Sequence, residues 1–196
     1  MVLLAPQSRT QRRPEAAHPR SDFGAGHLNI ARHAGAHVIA TSRNRERFSN
    51  LHSLGSTRVE LEAPDLAERV RKSYPEGLDA LLELVGNSTL ISSLTTLGRG
   101  GRLVLAGFLG GLSPLGSFNP LLQMPSSVHF SFFGSFMFGA PQFLLSDVPI
   151  ETLVERAEAG IYQAKPARVF RFDQIQEAHR LMESNQANGK IVVTVN

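Results

Sequence analysis

The sequence contains no cysteine among its 196 residues. Disulfides, thiolate catalysis and zinc sites with sulfur ligands are therefore excluded for this chain. Long apolar runs are also missing, because the longest candidate, residues 128–145, is interrupted by glycines, serines and Pro141. It does not reach the roughly 18 residues of a membrane-spanning helix. The composition, 42% apolar and 19% charged, is that of an ordinary globular protein. We expect no membrane partner and a reducing, cytoplasmic location.

Common catalytic motifs are absent as well. The seven histidines show no His-x₃-His spacing, so no metal site is predicted. There is no G-x-S-x-G turn for a nucleophilic serine. Tyr162 and Lys165 are three residues apart between a glycine and a proline, whereas the Tyr/Lys pair of short-chain dehydrogenases lies four residues apart within a helix. We predict no catalytic acid, base or nucleophile within the chain.

Acidic residues are nearly missing from residues 1–22, which we predict to be a disordered or foreign leader. The prolines there oppose the amphipathic helix that organelle import needs. Import and a nucleic-acid-binding arm are the alternatives, and a nucleic-acid partner is not favoured. The first twenty residues of the chain contain a single acid, Glu15, and four arginines: Arg9, Arg12, Arg13 and Arg20.

Strand-like and helix-like segments alternate through the middle of the chain and are joined by short loops. This alternation predicts an α/β fold: a Rossmann-like, doubly wound parallel sheet in three layers, over residues 23–149. Residues 150–196 are predicted to form a short α+β appendage. Strands are predicted at 37–41, 58–61, 79–85, 101–106, 127–138, 168–171 and 191–195, and helices at 25–34, 43–54, 64–73, 90–97, 150–159 and 172–183.

The first strand of that sheet is missing or replaced. A central strand ahead of Gly24 requires five or six apolar residues. Residues 14–20 instead contain two prolines, which cannot donate to a strand ladder. The apolar residues 2–5 reach the gap only if residues 6–23 are looped out, an unusually long connection. Whether they fill the sheet is left open by the sequence.

The end of the second predicted strand lacks an acid. An NAD site has Asp or Glu there for the ribose hydroxyls, but this chain has Thr41, Ser42 and Arg43, with Arg47 one helical turn further on. Hydroxyls and guanidinium groups suit the 2′-phosphate of NADP, which arginine binds with two parallel hydrogen bonds. The alternative is a solvated helix start. We favour NADP, bound as NADPH, as the cofactor.

A series of short motifs resembles one known family. The motifs are residues 35–41, 77–79, 85–86, 100–104, 107, 172–173, 177–179, 182–183 and 189–193. Their order and spacing resemble the C-terminal two-thirds of a medium-chain dehydrogenase/reductase of the zinc-independent quinone oxidoreductase branch. The resemblance begins at Gly24 and covers most of the chain. Members of this family have an N-terminal catalytic domain to which nothing here corresponds, and on which residues 150–196 would pack.

The resemblance implies hydride transfer from the nicotinamide of NADPH to a quinone or an activated carbonyl or alkene. It places Gly24 at the second glycine of the phosphate turn. Asp22 then replaces the first glycine and His27 a small residue, so an ordinary loop-to-helix junction is favoured over a working turn. The remaining cofactor-binding residues that it implies are Val85, Gly86, Gly107, Phe108, Phe133, Gly134 and Lys190.

The resemblance also implies a homodimer formed through residues 127–138. The alternative interpretation of this segment is that its aromatic side chains pack in the core. A small molecule is the expected substrate. The alternative to an enzyme is a non-catalytic, truncated fragment that dimerises and binds cofactor weakly or not at all.

Overall fold

The computed structural model describes residues 2–5, 22–163, 166–184, 186–187 and 189–195, in two compact units, Met1–Tyr162 and Gln163–Asn196. The helix predicted at the start of the appendage therefore belongs to the first unit. Strands are β1 (Val2–Ala5), β2 (His37–Ser42), β3 (Arg58–Leu61), β4 (Leu78–Glu83), β5 (Leu97–Leu105), β6 (His129–Phe132), β7 (Arg168–Arg171) and β8 (Ile191–Thr194). Helices are α1 (Asp22–His33), α2 (Phe48–Ser53), α3 (Leu66–Ser73), α4 (Asn87–Thr95), α5 (Pro120–Gln123), α6 (Ile150–Glu158) and α7 (Ile175–Glu183).

A six-stranded sheet with helices on both faces confirms the predicted doubly wound α/β fold. The strand order is β3-β2-β1-β4-β5-β6, and the pairs β2–β3, β4–β5 and β5–β6 are parallel. Successive side chains of a strand point to opposite faces. Accordingly, Val38 packs in a core with Leu28 and Leu51 of α1 and α2, whereas Ile39 packs with Val70 and Leu90 of α3 and α4.

The gap in the middle of the sheet is filled by β1. This strand runs antiparallel to both neighbours, with Leu3 opposite Ile39 of β2 and Leu81 of β4. The segment therefore belongs to the sheet rather than to a leader, and the sheet is mixed at this strand. Two strands that run parallel to each other accept between them a strand of either direction, because each ladder forms separately. Most of the predicted leader, residues 6–21, lies outside the described residues.

Because β1 runs antiparallel to its neighbours, it ends at the edge of the sheet opposite to the start of α1. Ala5 pairs with His37, the first residue of β2, so β1 ends at the amino edge of the parallel strands. Helix α1 ends at His33, close to that same edge, and its 12 residues extend about 18 Å toward the carboxyl edge. The strand, phosphate turn and helix that bind a pyrophosphate in a dinucleotide-binding domain are therefore not formed by β1 and α1.

Two predicted elements differ from the structure near this carboxyl edge. The helix predicted over 43–54 is divided into a 3-10 turn at Arg45–Arg47 and the shorter α2, because the Asn44 side chain caps the turn by accepting a hydrogen bond from the Glu46 amide at 2.9 Å. The strand predicted over 127–138 is limited to β6, since a second 3-10 turn begins just after Gly134.

The second unit contains a small parallel sheet of β7 and β8 together with α7. Among its described residues, Phe170 and Ala178 are buried and apolar, while Phe172 and Val192 expose much of their surface. No helix among the described residues of either unit has the length and apolar character to cross a membrane.

Candidate functional site

Apart from Gly24, the predicted site residues of the first unit lie at or after the ends of strands whose carboxyl ends meet at one edge of the sheet. In open α/β sheets, ligands bind outside this edge. The structure brings three predicted pairs to the ends of β4, β5 and β6, and the predicted phosphate-binding residues to the end of β2. Gly24 lies in the first turn of α1, and Lys190 is an exposed residue of the second unit. The three pairs are Val85–Gly86, Gly107–Phe108 and Phe133–Gly134.

The end of β2 is built around a local turn. Thr41 and Ser42 are buried, with 1% and 4% of their surface exposed. The Ser42 hydroxyl donates to the Asn44 carbonyl and accepts from the Asn44 amide, both at 3.1 Å. This hydroxyl shapes the turn that carries Arg43, so its direct contact with a phosphate is less favoured than the sequence alone suggests.

Arg43 is the free cation of this turn. It is exposed, and among the described residues no carboxylate pairs with it. Nearby arginines are engaged differently: Arg45 lies over the Phe48 ring at 5.9 Å. On β3 and α3, Arg58 and Arg69 both pair with the buried carboxylate of Glu60.

The same arginine of α3 also neutralises a carboxylate at the start of its helix. Arg69 donates to Asp65 at 2.9 Å, and this hydrogen bond lowers the pKa of Asp65. The carboxylates of Glu60 and Asp65 are therefore paired with arginines within the chain, whereas no such pair is formed by Arg43 among the described residues.

The end of β4 contains a buried acid that sequence analysis missed. Glu83 has none of its surface exposed, and its neighbours Leu82 and Leu84 are buried apolar residues. One carboxylate oxygen accepts from the amides of Val85 at 2.8 Å and Gly86 at 3.4 Å. The other accepts from the Ser93 hydroxyl on α4 at 2.6 Å. An acid between Leu82 and Leu84, at the end of an apolar run, was the available signal, since a buried carboxylate needs such partners.

The loop after β5 is bonded to the turn after β4. The amides of Leu109 and Gly110 donate to the carbonyls of Leu84 and Val85, at 3.1 and 2.7 Å. Gly86 adopts a left-handed φ of 105°, which favours glycine at this position. The two segments, residues 84–86 and 106–110, therefore form one continuous wall, named here the β4–β5 wall.

Close packing at Gly107 yields the first testable prediction. A Cβ atom at Gly107 would lie 2.7 Å from the Cα and 2.9 Å from the carbonyl carbon of Leu84. Because backbone on both sides must shift, we expect Gly107→Ala to lower the free energy of unfolding by about 1–3 kcal/mol in urea denaturation. Gly116→Ala is the matched control, since nothing lies within 4 Å of its Cβ position. Equal stability of the two variants would contradict the packing of this wall.

Aromatic side chains surround the end of β6. The Phe133 amide donates to the Leu105 carbonyl at 2.8 Å, which fixes the chain beside β5. The Phe133 ring contacts Phe138 edge-on, with centroids 5.5 Å apart. Phe108 has 63% of its surface exposed and can cover a ligand at this edge. Among the described residues, no three histidine, aspartate or glutamate side chains lie together in the way a metal site requires.

Comparison with known families gives a match to this region. Residues 24–145 match the family model described as zinc-binding dehydrogenase. The match covers more than half of the chain and includes every predicted site residue except Lys190.

Two of the similar proteins are reductases. Bovine prostaglandin reductase-3 is 27% identical over 85% of this chain and 47% of its own length. The 2-haloacrylate reductase of a Burkholderia species is 27% identical over 87% of this chain and 52% of its own length. The chain thus spans about half the length of the curated relatives it matches.

Solved structures share the fold. The mycobacterial protein Rv1454c, solved in complex with NADPH, superposes with a TM-score of 0.75 at 22% identity. The superposition covers 94% of this chain and 58% of the mycobacterial chain. At this level of identity the likeness establishes the fold alone.

Proposed function

The chain belongs to the zinc-binding dehydrogenase family of the medium-chain dehydrogenase/reductase superfamily, and we propose that it is the cofactor-binding part of an NADPH-dependent oxidoreductase. The superfamily predicted from sequence is confirmed by the family match and the relatives. The zinc-independent branch and the cytoplasmic location stay predictions.

The proposal of NADPH rather than NADH rests on Arg43. It is an exposed guanidinium at the end of β2, where NAD-binding domains have an acid for the ribose hydroxyls. No described carboxylate neutralises it, whereas Arg58 and Arg69 are paired. A free guanidinium binds a phosphate with two parallel hydrogen bonds. In our proposal Arg43 binds the 2′-phosphate of NADPH, Arg47 adds positive charge, and Thr41 and Ser42 hold the turn.

The β4–β5 wall and the aromatic residues after β6 are proposed to border the nicotinamide. When bound, NADPH supplies the hydride for reduction of a quinone or an activated carbonyl or alkene. The chain's own residues bind and orient it. Gly86 and Gly107 let the two backbone segments of the wall lie close together, and Phe108 and Phe133 exclude water from the nicotinamide in this proposal. Gly134 follows Phe133, and a cofactor contact of Lys190 stays a prediction.

A fluorescence titration of the purified chain tests this proposal. NADPH emission should rise and saturate on binding, and NADH should bind more weakly because it lacks the 2′-phosphate. Absence of saturable binding of either nucleotide up to millimolar concentration would overturn the proposal.

One observation favours the alternative, a non-catalytic fragment that binds cofactor weakly or not at all. Strand β1 ends at the edge opposite to the site, so it does not deliver a phosphate turn to α1. In the leading proposal the pyrophosphate must rely on the N-terminal amides of α1, where Gly24 lies. The same titration separates the two proposals, since only the fragment predicts no saturation.

Strand β6 supports the proposed homodimer. It pairs only with β5 in the six-stranded sheet, and all four of its residues are exposed. An uncovered strand edge with large apolar side chains promotes pairing with another chain. Exposed apolar residues follow it: Phe136, Met137, Phe143, Leu144 and Leu145.

We therefore predict that Phe132→Lys converts a dimer to a monomer. Phe132 has 62% of its surface exposed on the edge strand, and a charge there opposes burial against a second copy. Light scattering after size-exclusion chromatography measures the mass. Phe172→Lys is the control, since Phe172 is equally exposed but lies in the second unit. A wild-type monomer, or equal masses for both variants, would contradict the proposed interface.

A further inference from the structure

We propose that Glu83 is a positioning residue, which holds the turn after β4 so that the neutral, nicotinamide half of the cofactor lies against it. This inference rests on the proposed function. It begins from an unusual burial: Glu83 is fully buried in a strand whose neighbours Leu81 and Leu82 are apolar core residues. Removing a carboxylate from water is costly unless it is hydrogen-bonded.

Each bond described for this carboxylate leads to the turn or to its helix. One oxygen accepts from the Val85 and Gly86 amides, and the other from Ser93 of α4. Gly86 is further held at its carbonyl, which accepts from the Thr89 amide at 3.1 Å and the Thr89 hydroxyl at 3.2 Å. Glu83 therefore fixes the turn relative to α4.

The effect of Glu83 extends to the next loop. Once the turn is fixed, the carbonyls of Leu84 and Val85 accept from Leu109 and Gly110 and hold the loop after β5. A single buried carboxylate thus supports both halves of the β4–β5 wall, although it lies beneath the wall rather than in the site.

The same bonds decide which ligand group the wall suits. At a helix N-terminus, free backbone amides bind phosphate. Here the amides of Val85 and Gly86 already donate to Glu83, and the carboxyl group beneath them disfavours an anion. The wall therefore suits the uncharged ribose and carboxamide of the nicotinamide half, while Arg43 serves the phosphorylated adenosine half.

Two substitutions at Glu83 and a matched control test the proposal. Glu83→Asp withdraws the carboxylate by one methylene, whereas Glu83→Gln keeps an oxygen acceptor at full length. Thr96→Val is the control, because the buried Thr96 hydroxyl donates to the Ser93 carbonyl at 2.7 Å and not to Glu83. If Glu83→Asp fails to fold, Ser93→Ala loosens the same carboxylate by removing one donor.

The quantities to be measured are amide hydrogen exchange in the unliganded chain and the Kd values of NADPH and NADH. For Glu83→Asp we expect exchange of the Val85 and Gly86 amides to be about tenfold faster, as for one lost hydrogen bond. Both Kd values should rise about tenfold while their ratio, set by Arg43, is unchanged. Glu83→Gln should restore most of the binding, and Thr96→Val should change neither quantity.

Two failures are distinguishable. A wild-type chain that binds neither nucleotide overturns the proposed function, and the nicotinamide assignment with it. A wild-type chain that binds NADPH, with wild-type exchange or wild-type Kd values in Glu83→Asp, overturns the role of Glu83 alone.

Discussion

Replacing Arg43 by alanine should weaken NADPH binding by about tenfold to a hundredfold and leave NADH binding nearly unchanged. Arg43 is exposed at the end of β2 and has no carboxylate partner among the described residues, so its full charge is available to a phosphate. Hydrogen bonds to charged groups contribute about 1.5–3 kcal/mol, which converts to this range of affinity. Only NADPH has the 2′-phosphate, so the loss should be selective. Fluorescence titration of both nucleotides measures it.

Arg45→Ala is the matched control. It removes the same charge two residues further along the chain, from a guanidinium that lies over the Phe48 ring. A general loss of positive charge would weaken binding in both variants equally. Equal losses for NADPH and NADH in Arg43→Ala would contradict the assignment of NADP.

Replacing Leu3 by proline should destabilise the first unit by about 2–4 kcal/mol. Leu3 pairs with β2 on one side and β4 on the other, in the middle of the sheet. Proline cannot donate to either ladder. The loss of one net hydrogen bond, about 0.5–1.5 kcal/mol, adds to the cost of an acceptor left buried without a partner, about 1–3 kcal/mol. Urea denaturation measures the change in the free energy of unfolding.

Leu3→Val is the control, because valine keeps the amide and favours strands. If the proline variant is as stable as the valine variant, β1 does not occupy the centre of the sheet. The slot between β2 and β4 would then be filled in some other way, and the separation of β1 from α1 would no longer apply.

Local patterns determine much of this fold. The strand predicted at 58–61 has the observed bounds of β3, and the helix predicted at 25–34 overlaps α1. These predictions succeed because apolar periodicity and glycine helix ends are properties of neighbouring residues. The order of the strands is contained in no single segment and comes from the structure.

The features that could not be predicted from the sequence depend on contacts between residues that local patterns do not show. The four apolar residues of β1 are compatible with either strand direction, and only their register with β2 and β4 decides it. The role of Glu83 depends on Ser93, ten residues away on a helix packed over the strand. Likewise, the Ser42 hydroxyl resembles a phosphate ligand in sequence but is bonded to Asn44 in the turn.

Mapping NADPH on the uniformly ¹⁵N-labelled chain by amide chemical shifts tests the location of the site most directly. We predict that the largest changes occur at the amides of residues 43–47, 84–86 and 107–109, which follow β2, β4 and β5. NADH should reproduce the changes after β4 and β5 but not those at 43–47. Changes confined to other parts of the chain, or the absence of any change at saturating NADPH, would contradict a dinucleotide site at the carboxyl edge of this sheet.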